Sequence, residues 1–515
     1  MTASASGYIT DIAYVPGFYP TLAPLALRYV AALNGIEPPR TDRPFRCLEL
    51  GCGLGRTVTT LAAANPQGEF VGVDVNPEHT AAADREAKAG GLRNARIVTA
   101  GFGGLPDDIG EFEFITLHGV YSWVAPEVRA EIVEVARRRL RPGGLLLVSY
   151  NAMPGWAHLQ PIRGILRQYA ALRQGDNLQR VRDGLAYLVY LRDKKAKYFV
   201  DNPQASAYVD QLVRQDQRYL AHEFLNEHWT AFYFQEVARD LGAAGLAFVG
   251  SLPVHTNFWD LCVLPEFQEL FRTTTDRLVT EAHKDFCANT QFRTDIYGRA
   301  PRQLGGVDGR LQTVDDIHFR VARRNLTLPW QANLGVVTTT VQGPLYQSLI
   351  GLLSGPGMRL SEIVAADAVR GTPPAEIVRA VDAGVAMGLF DIAVGPLAAP
   401  PTKTGSLKLP LAFNEGLLES DALGGRTVAL ASPLTGTGHS LGDFEAAILH
   451  ELTARGAEGL AERVTTRLRG SGRVLEREGK PVTDPEEQQK IVAESCAAFV
   501  GTAVPELVRL GIVAA

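Results

Sequence analysis

The sequence has little that would mark it for secretion, a membrane or a nucleic acid. Its five cysteines (Cys47, Cys52, Cys262, Cys287 and Cys496) are odd in number and include no Cys-x-x-Cys pair. That excludes a disulfide framework and reads as reduced thiols of the cytoplasm. His283 and Cys287 stand at helical i, i+4 spacing, but no further ligand is spaced to complete a metal site, so no metal is expected. No stretch approaches the length of a membrane span, so membrane insertion is not expected, and residues 1–20 lack the basic start and apolar core of a signal peptide. A net charge of −5 disfavours a general nucleic-acid binder. Residues 163–197 depart from this, with nine Arg and Lys against three Asp, a balance of +6. Such a run is a solvated helix face or, alternatively, a surface for an acidic partner.

What is present indicates a globular chain of several domains. Hydrophobic residues make up 46% and charged residues 21% of the 515 positions, a length that predicts two to four domains. The most informative stretch is Cys47-Leu48-Glu49-Leu50-Gly51-Cys52-Gly53-Leu54-Gly55. It reads as an apolar strand that breaks into three alternating glycines and opens a helix over residues 56–64. Glycines belong where the backbone turns sharply or meets a ligand closely. A second apolar strand ends at Asp74, where an acidic side chain can read the two hydroxyls of a ribose. The dinucleotide spacing Gly-x-Gly-x-x-Gly is absent. The pattern is Glu-x-Gly-x-Gly-x-Gly, led by Glu49, and a carboxylate there suits a ligand with a cationic group. This segment resembles the first motif of class I S-adenosylmethionine (SAM) methyltransferases; a plain glycine-rich turn is the alternative.

Strand and helix patterns continue to alternate through residue 150, which predicts an α/β, doubly wound, mostly parallel sheet. The seven-stranded SAM-methyltransferase sheet needs one more helix and two strands. The pattern supplies them late, with a helix over residues 232–241 and strands over 246–250 and 258–264. Residues 1–155 are thus expected to form the SAM-binding core, 156–230 a helical insertion, and 231–265 the completion of the sheet. Residues 266–340 form a regulatory or middle region. Three helices and a strand in residues 341–398 suggest a winged-helix-like domain, and residues 406–515 are helix-rich. Between Pro344 and Val394 three Arg face five Asp and Glu, which makes DNA binding unlikely for this unit. The insertion is expected either to cap the active site or to make a subunit contact.

Candidate site residues lie at the C-terminal ends of the strands, where an open α/β sheet binds ligands. Glu49, Gly51, Gly53, Gly55, Asp74, Val75, Gly101, Phe102 and His118 are the expected cofactor residues. His118 is also a candidate base, or else caps a strand end. Tyr121 and Tyr150 either orient an amine beside the methyl or pack in the core. Tyr14, Tyr19, Trp123, Asn151 and Trp156 are the expected acceptor residues. The aromatic arm (Tyr8, Tyr14, Phe18, Tyr19) either folds over the cofactor or packs on the sheet. Asn151 is not followed by Pro-Pro-aromatic, which counts against base amines and glutamine amides as acceptors.

A narrower resemblance follows from residues 118–124 (His-Gly-Val-Tyr-Ser-Trp-Val), Ser149-Tyr150-Asn151 and Pro154-Gly155-Trp156. Residues 219–223, 232–234 and 291–293 extend it. The chain is similar to SAM-dependent methyltransferases that carry a methyltransferase regulatory domain, including the rickettsial-type lysine methyltransferases of outer-membrane proteins. The resemblance implies a SAM cofactor, a homodimer and a protein lysine among the acceptors. The arm differs from the Ser/Ala/Phe-rich arm of the lysine enzymes, which leaves a small-molecule acceptor, or a SAM-sensing regulatory protein without turnover, as the alternatives.

Overall fold

The computed structural model describes residues 17–323, 326–398, 407–473, 475–477 and 480–514, so Tyr8 and Tyr14 lie outside the described residues. Helix α1 (Pro24–Leu33) precedes the sheet. Then β1 (Phe45–Leu50), α2 (Arg56–Ala64), β2 (Gly68–Asp74), α3 (Pro77–Ala89), β3 (Ala95–Thr99), β4 (Phe112–Leu117), α4 (Pro126–Arg139) and β5 (Leu140–Asn151) alternate as the pattern predicts. The strand order is β3-β2-β1-β4-β5-β7-β6. β1 to β5 pair in parallel, and β7 runs antiparallel to both its neighbours. The order reverses between β1 and β4, the crevice where such sheets bind ligands.

The chain leaves the sheet at Asn151 and returns beside it. Phe232 N donates to Asn151 O at 2.9 Å, and Met153 N donates to Phe232 O at 2.9 Å. Between these points α5 (Gln160–Ala171), α6 (Asn177–Asp193), α7 (Lys197–Asp201), α8 (Pro203–Val213) and α9 (Gln217–Leu225) bury a core of their own around Ile162, Leu188 and Phe224. Helix α10 (Phe234–Ala243) leads into β6 (Leu246–Leu252).

The next segment differs from the expectation. Residues 258–264 are not a strand: they hold the short helix α11 (Trp259–Cys262), followed by α12 (Gln268–Thr273) and α13 (Arg277–Ala288). The last strand of the sheet is β7 (Phe292–Arg299), so the sheet closes within the region assigned to the middle of the chain. Arg293 and Asp295, both buried, break the apolar pattern of β7. Their charges are balanced within the fold, for Arg293 pairs with Asp285, Asp295 and Glu281. Such neutralisation is what lets ions enter a sheet interior.

Beyond the sheet come α14 (Gly306–Thr313), β8 (His318–Val321), β9 (Trp330–Asn333), β10 (Thr338–Val341), α15 (Pro344–Leu353), β11 (Met358–Arg359), α16 (Leu360–Ala365), α17 (Pro374–Ala386) and β12 (Phe390–Ala393). β11, β8 and β12 form an antiparallel sheet in that order. The tail folds as α18 (Ala412–Asp421), the hairpin β13 (Val428–Ser432) and β14 (Thr437–Leu441), α19 (Asp443–Arg455), α20 (Leu460–Gly470), α21 (Pro485–Ala498) and α22 (Val504–Arg509). Asp484 caps α21, accepting from Glu486 N and Glu487 N ahead of Pro485.

The run Pro485–Arg509 is one helix of 25 residues with a window of mean hydropathy 1.5, long and apolar enough to cross a membrane. That departs from the expectation that no stretch reaches such a length. Val492, Cys496, Phe499, Val504 and Leu507 from this run pack into the C-terminal core, where its apolarity is used.

Two helices near the site are buried on every side. α1 joins the cores of the sheet and of the middle region, and Tyr29 Oη donates to Asp382 Oδ1 of α17 at 2.8 Å. In α2 every residue from Thr57 to Ala64 is buried, with the tail on one side. Asn65 Nδ2 donates to Gly436 O at 3.0 Å, and Arg56 pairs with Glu86 and Asp421. A helix without a polar stripe needs such cover from both sides. The helix behind the glycine loop is therefore clamped by the C-terminal region.

Candidate active site

The glycine loop takes the conformation its residues allow. Gly51, Gly53 and Gly55 have φ of 74°, 53° and 79°, in the left-handed region that side chains avoid. Each glycine has a further role. A Cβ on Gly51 would stand 2.5 Å from Val120, and one on Gly55 2.4 Å from Ala83 Cβ of α3. A Cβ on Gly53 would meet nothing within 4 Å, so this residue faces open space at the strand ends. Its N–H donates to Asp74 Oδ2 at 2.9 Å, while Asp74 Oδ1 accepts from Asn76 N at 2.9 Å. The loop and the tip of β2 thus form one hydrogen-bonded unit.

Glu49 is buried at the end of β1, and its carboxylate makes no hydrogen bond or ion pair among the described residues. Burial first, and then the Asp74 charge, push its carboxyl up to about 8. Glu49 and Asp74, the latter 3.5 Å from His79 Nδ1, bring two acidic groups together, which fits a cationic ligand, and the open backbone at Gly53 gives that ligand close access. The residues of the loop fit SAM: a cationic cofactor would find two acidic side chains, Glu49 and Asp74, beside backbone left open at Gly53. Val75 is exposed at the lip of β2, Gly101 is open after β3, and Phe102 packs against the sheet core.

Across from the loop, Tyr19 of the N-terminal arm lies against His118 at the end of β4, with ring centroids 4.1 Å apart. Phe292 at the start of β7 meets His118 edge-on at 5.7 Å. The arm is anchored by Tyr19 N, which donates to Thr57 Oγ1 of α2 at 3.2 Å. Burial pushes the Tyr19 hydroxyl up, helped by the nearby Glu49 charge. Burial holds the His118 imidazole down at about 4, and its Nδ1 is buried without a hydrogen-bond partner. Tyr19, His118 and Phe292 thus make an uncharged aromatic wall from three separate segments.

The other expected residues separate into two groups. Tyr121 and Tyr150 are fully buried, with hydroxyls donating to Asp240 Oδ2 at 3.3 Å and Asp295 Oδ2 at 2.6 Å. Both side chains are thus packed in the core, with their hydroxyls engaged by buried or half-buried acids. Trp123 and Asn151, from the ends of β4 and β5, face a carboxylate that sequence reasoning did not place in the site: Glu223 of α9. Trp156 packs edge-on against Trp229 at 4.8 Å and Tyr208 at 5.9 Å in the insertion core, one layer beyond. Glu223 lies within a run matching the family pattern, but nothing local marks it as functional. The signal is an acidic residue at a buried position of an amphipathic helix.

A match to the description "Methyltransferase domain" covers residues 47–144, and one to "Predicted methyltransferase regulatory domain" covers residues 216–299. An uncharacterized protein of Synechocystis sp. is 31% identical over 512 residues, spanning 98% of this chain and 99% of its own length. A tRNA (guanine-N(7)-)-methyltransferase of Serratia proteamaculans is 26% identical over 154 residues, covering 28% of this chain and 61% of its own. The structure of PKMT2 from Rickettsia typhi in complex with AdoHcy superimposes with a TM-score of 0.72 at 20% identity, covering 97% of this chain and 99% of that one. Fold and site define a class I SAM-dependent methyltransferase. The chain belongs to the family of these enzymes that carries the predicted methyltransferase regulatory domain. Its cofactor is SAM and its second substrate a methyl acceptor.

Proposed function

We propose that this enzyme transfers the SAM methyl to an amine, with a protein lysine side chain as the acceptor. The observation that carries this reading is the uncharged wall of Tyr19, His118 and Phe292 opposite the acidic loop. Aromatic faces attract cations, and a sulfonium and an alkyl ammonium are both cations. A histidine held neutral adds no repelling charge. Whole-length likeness to the PKMT2 fold supports a protein acceptor. Glu49, Gly51, Gly53, Gly55, Asp74, Val75, Gly101, Phe102 and His118 would surround the cofactor, which supplies an activated methyl with a good leaving group. The chain then has to align the acceptor nitrogen and exclude water.

The five free thiols favour the cytoplasm as the place of reaction. The unit of residues 341–398 is read as a winged-helix-like structural or protein-contact module, consistent with a homodimer. Its three arginines are engaged by acids: Arg359 with Asp315 and Glu362, Arg370 with Asp367, and Arg379 with Asp260, which leaves little for phosphates. Incubation with radiolabelled SAM and cell lysate tests the acceptor. Label in protein, recovered as methyl-lysine after acid hydrolysis, is the expected result. Label confined to small solutes would replace it with a small-molecule acceptor.

A further inference from the structure

The helical insertion brings to the site a charged group that the cofactor loop does not use. The chain returns from the insertion to the ends of β4 and β5, where Thr230 N donates to Ser122 O at 2.8 Å. This return seats α9 over the acceptor side, with Glu223 buried against Trp123 and Asn151. Trp229 Nε1 donates to Glu223 Oε1 at 3.4 Å, a long bond that leaves the carboxylate under-used. Asn151 Nδ2, buried beside it, makes no hydrogen bond of normal length. A carboxylate and an amide with unspent capacity, bounded by an indole, form a receptor for a small hydrogen-bonding cation. Glu223 itself is 7% exposed, while its neighbours Trp123 and Tyr219 are half-buried and 37% exposed.

We propose that Glu223 is the catalytic base of the transfer, receiving the acceptor ammonium beside Trp123 and Asn151 and taking its proton. The proposal rests on the amine reading above. The carboxylate accepts one proton from R–NH3⁺, giving R–NH2 and the carboxylic acid. The nitrogen lone pair then forms the new N–CH3 bond as the methyl–sulfur bond breaks. Its electron pair stays on sulfur, giving S-adenosylhomocysteine, and Glu223 returns its proton to water. Nitrogen must be neutral to attack, so a base on the acceptor side is required near neutral pH.

The surroundings suit that task. Burial pushes the Glu223 carboxyl up to about 7, with the Trp229, Arg163, Trp123 and Asn151 groups pulling the other way. From α5, Arg163 lies over the Trp229 ring at 5.3 Å and donates to Asn226 O at 2.6 Å, and forms no ion pair with Glu223 among the described residues. Tyr208 of α8 and Tyr219 of α9 face the same carboxylate, and Tyr19 lies next to Tyr219; burial raises all three hydroxyls, which stay neutral.

The test uses the full chain, radiolabelled SAM and poly-L-lysine. Glu223→Gln keeps size and hydrogen bonding but cannot take a proton. Expected are SAM affinity within about twofold by calorimetry and a fall in kcat/KM of at least about 100-fold at pH 7. The rise of wild-type kcat/KM through about pH 7 should disappear in Glu223→Gln and persist, at lower rate, in Glu223→Asp. A Glu223→Gln enzyme with wild-type rate, or with an unchanged pH profile, overturns the proposal. So does loss of SAM binding together with activity, which would assign Glu223 to the fold. Failure of the amine reading looks different: wild type itself would leave poly-L-lysine and lysate proteins unlabelled.

Discussion

Tyr150 donates its hydroxyl to Asp295 Oδ2 at 2.6 Å, and this bond lies wholly inside the protein, linking β5 to β7. The strand-end tyrosine is thereby committed to structure. Tyr150→Phe should destabilise the protein by about 1.5–3 kcal/mol, the worth of a buried hydrogen bond to a charge. The folded variant should keep kcat within about threefold of wild type. Thermal unfolding and steady-state methyl transfer check the two halves.

The three loop glycines should respond differently to substitution. Gly55→Ala drives a Cβ into Ala83 and should lower the thermal midpoint, at a cost of about 1–3 kcal/mol for the overlap alone. Gly53→Ala has room, so its stability cost is the left-handed strain of about 1–2 kcal/mol. Its methyl points into the open space where the cofactor is proposed to bind, so SAM affinity should fall by at least about tenfold, read by calorimetry.

Asp74→Ala should abolish measurable SAM binding, because it removes both the acidic side chain at the strand tip and the acceptor of Gly53 N–H. Unchanged affinity by calorimetry would remove Asp74 from the cofactor site.

Binding of SAM should release protons near neutral pH. Glu49 is raised to about 8, so the free protein holds it mostly protonated at pH 7, and a cationic ligand favours its ionised form. Affinity should therefore rise as pH approaches 8. In the free protein the sign is opposite: a raised carboxyl stabilises below its ordinary value of 4.5, and that contribution is lost as pH rises through 8. Calorimetry in buffers of different ionisation enthalpy counts the proton; Glu49→Gln should abolish the dependence.

Arg293→Met strips the cation from Asp285, Asp295 and Glu281 and should destabilise by about 3–5 kcal/mol at pH 7. Burial would raise Glu281, but Lys284 and Arg293 outweigh it and hold the carboxyl at about 2. Its contribution is present above the ordinary 4.5 and lost as pH falls towards 2. The gap between variant and wild type in denaturant unfolding should therefore narrow between pH 7 and pH 3.

Much of this protein was legible locally. The strand end at Glu49, the left-handed glycine turn and the strand tip at Asp74 were legible in sequence because tight turns and strand tips impose their geometry residue by residue. The strand β7 was not, because a strand with Arg293 and Asp295 inside it violates the apolar pattern by which buried strands are recognised. Residues 258–264, apolar and near the expected place, mimicked it.

The sequence by itself determined the glycine turn between β1 and α2, the alternation that builds the parallel strands, and the helical character of the insertion. Those properties follow from backbone conformation and from the period of apolar residues. Only the tertiary structure decided which polar groups are inside and whom they face. It turned Tyr121 and Tyr150 towards Asp240 and Asp295, and it closed the sheet with a strand whose charges are balanced from α13. It also laid α9 over the strand ends so that Glu223, 72 residues from Asn151 in the chain, shares its pocket. Burial and charge pairing are relations between distant segments, and they set what an ionisable side chain can do.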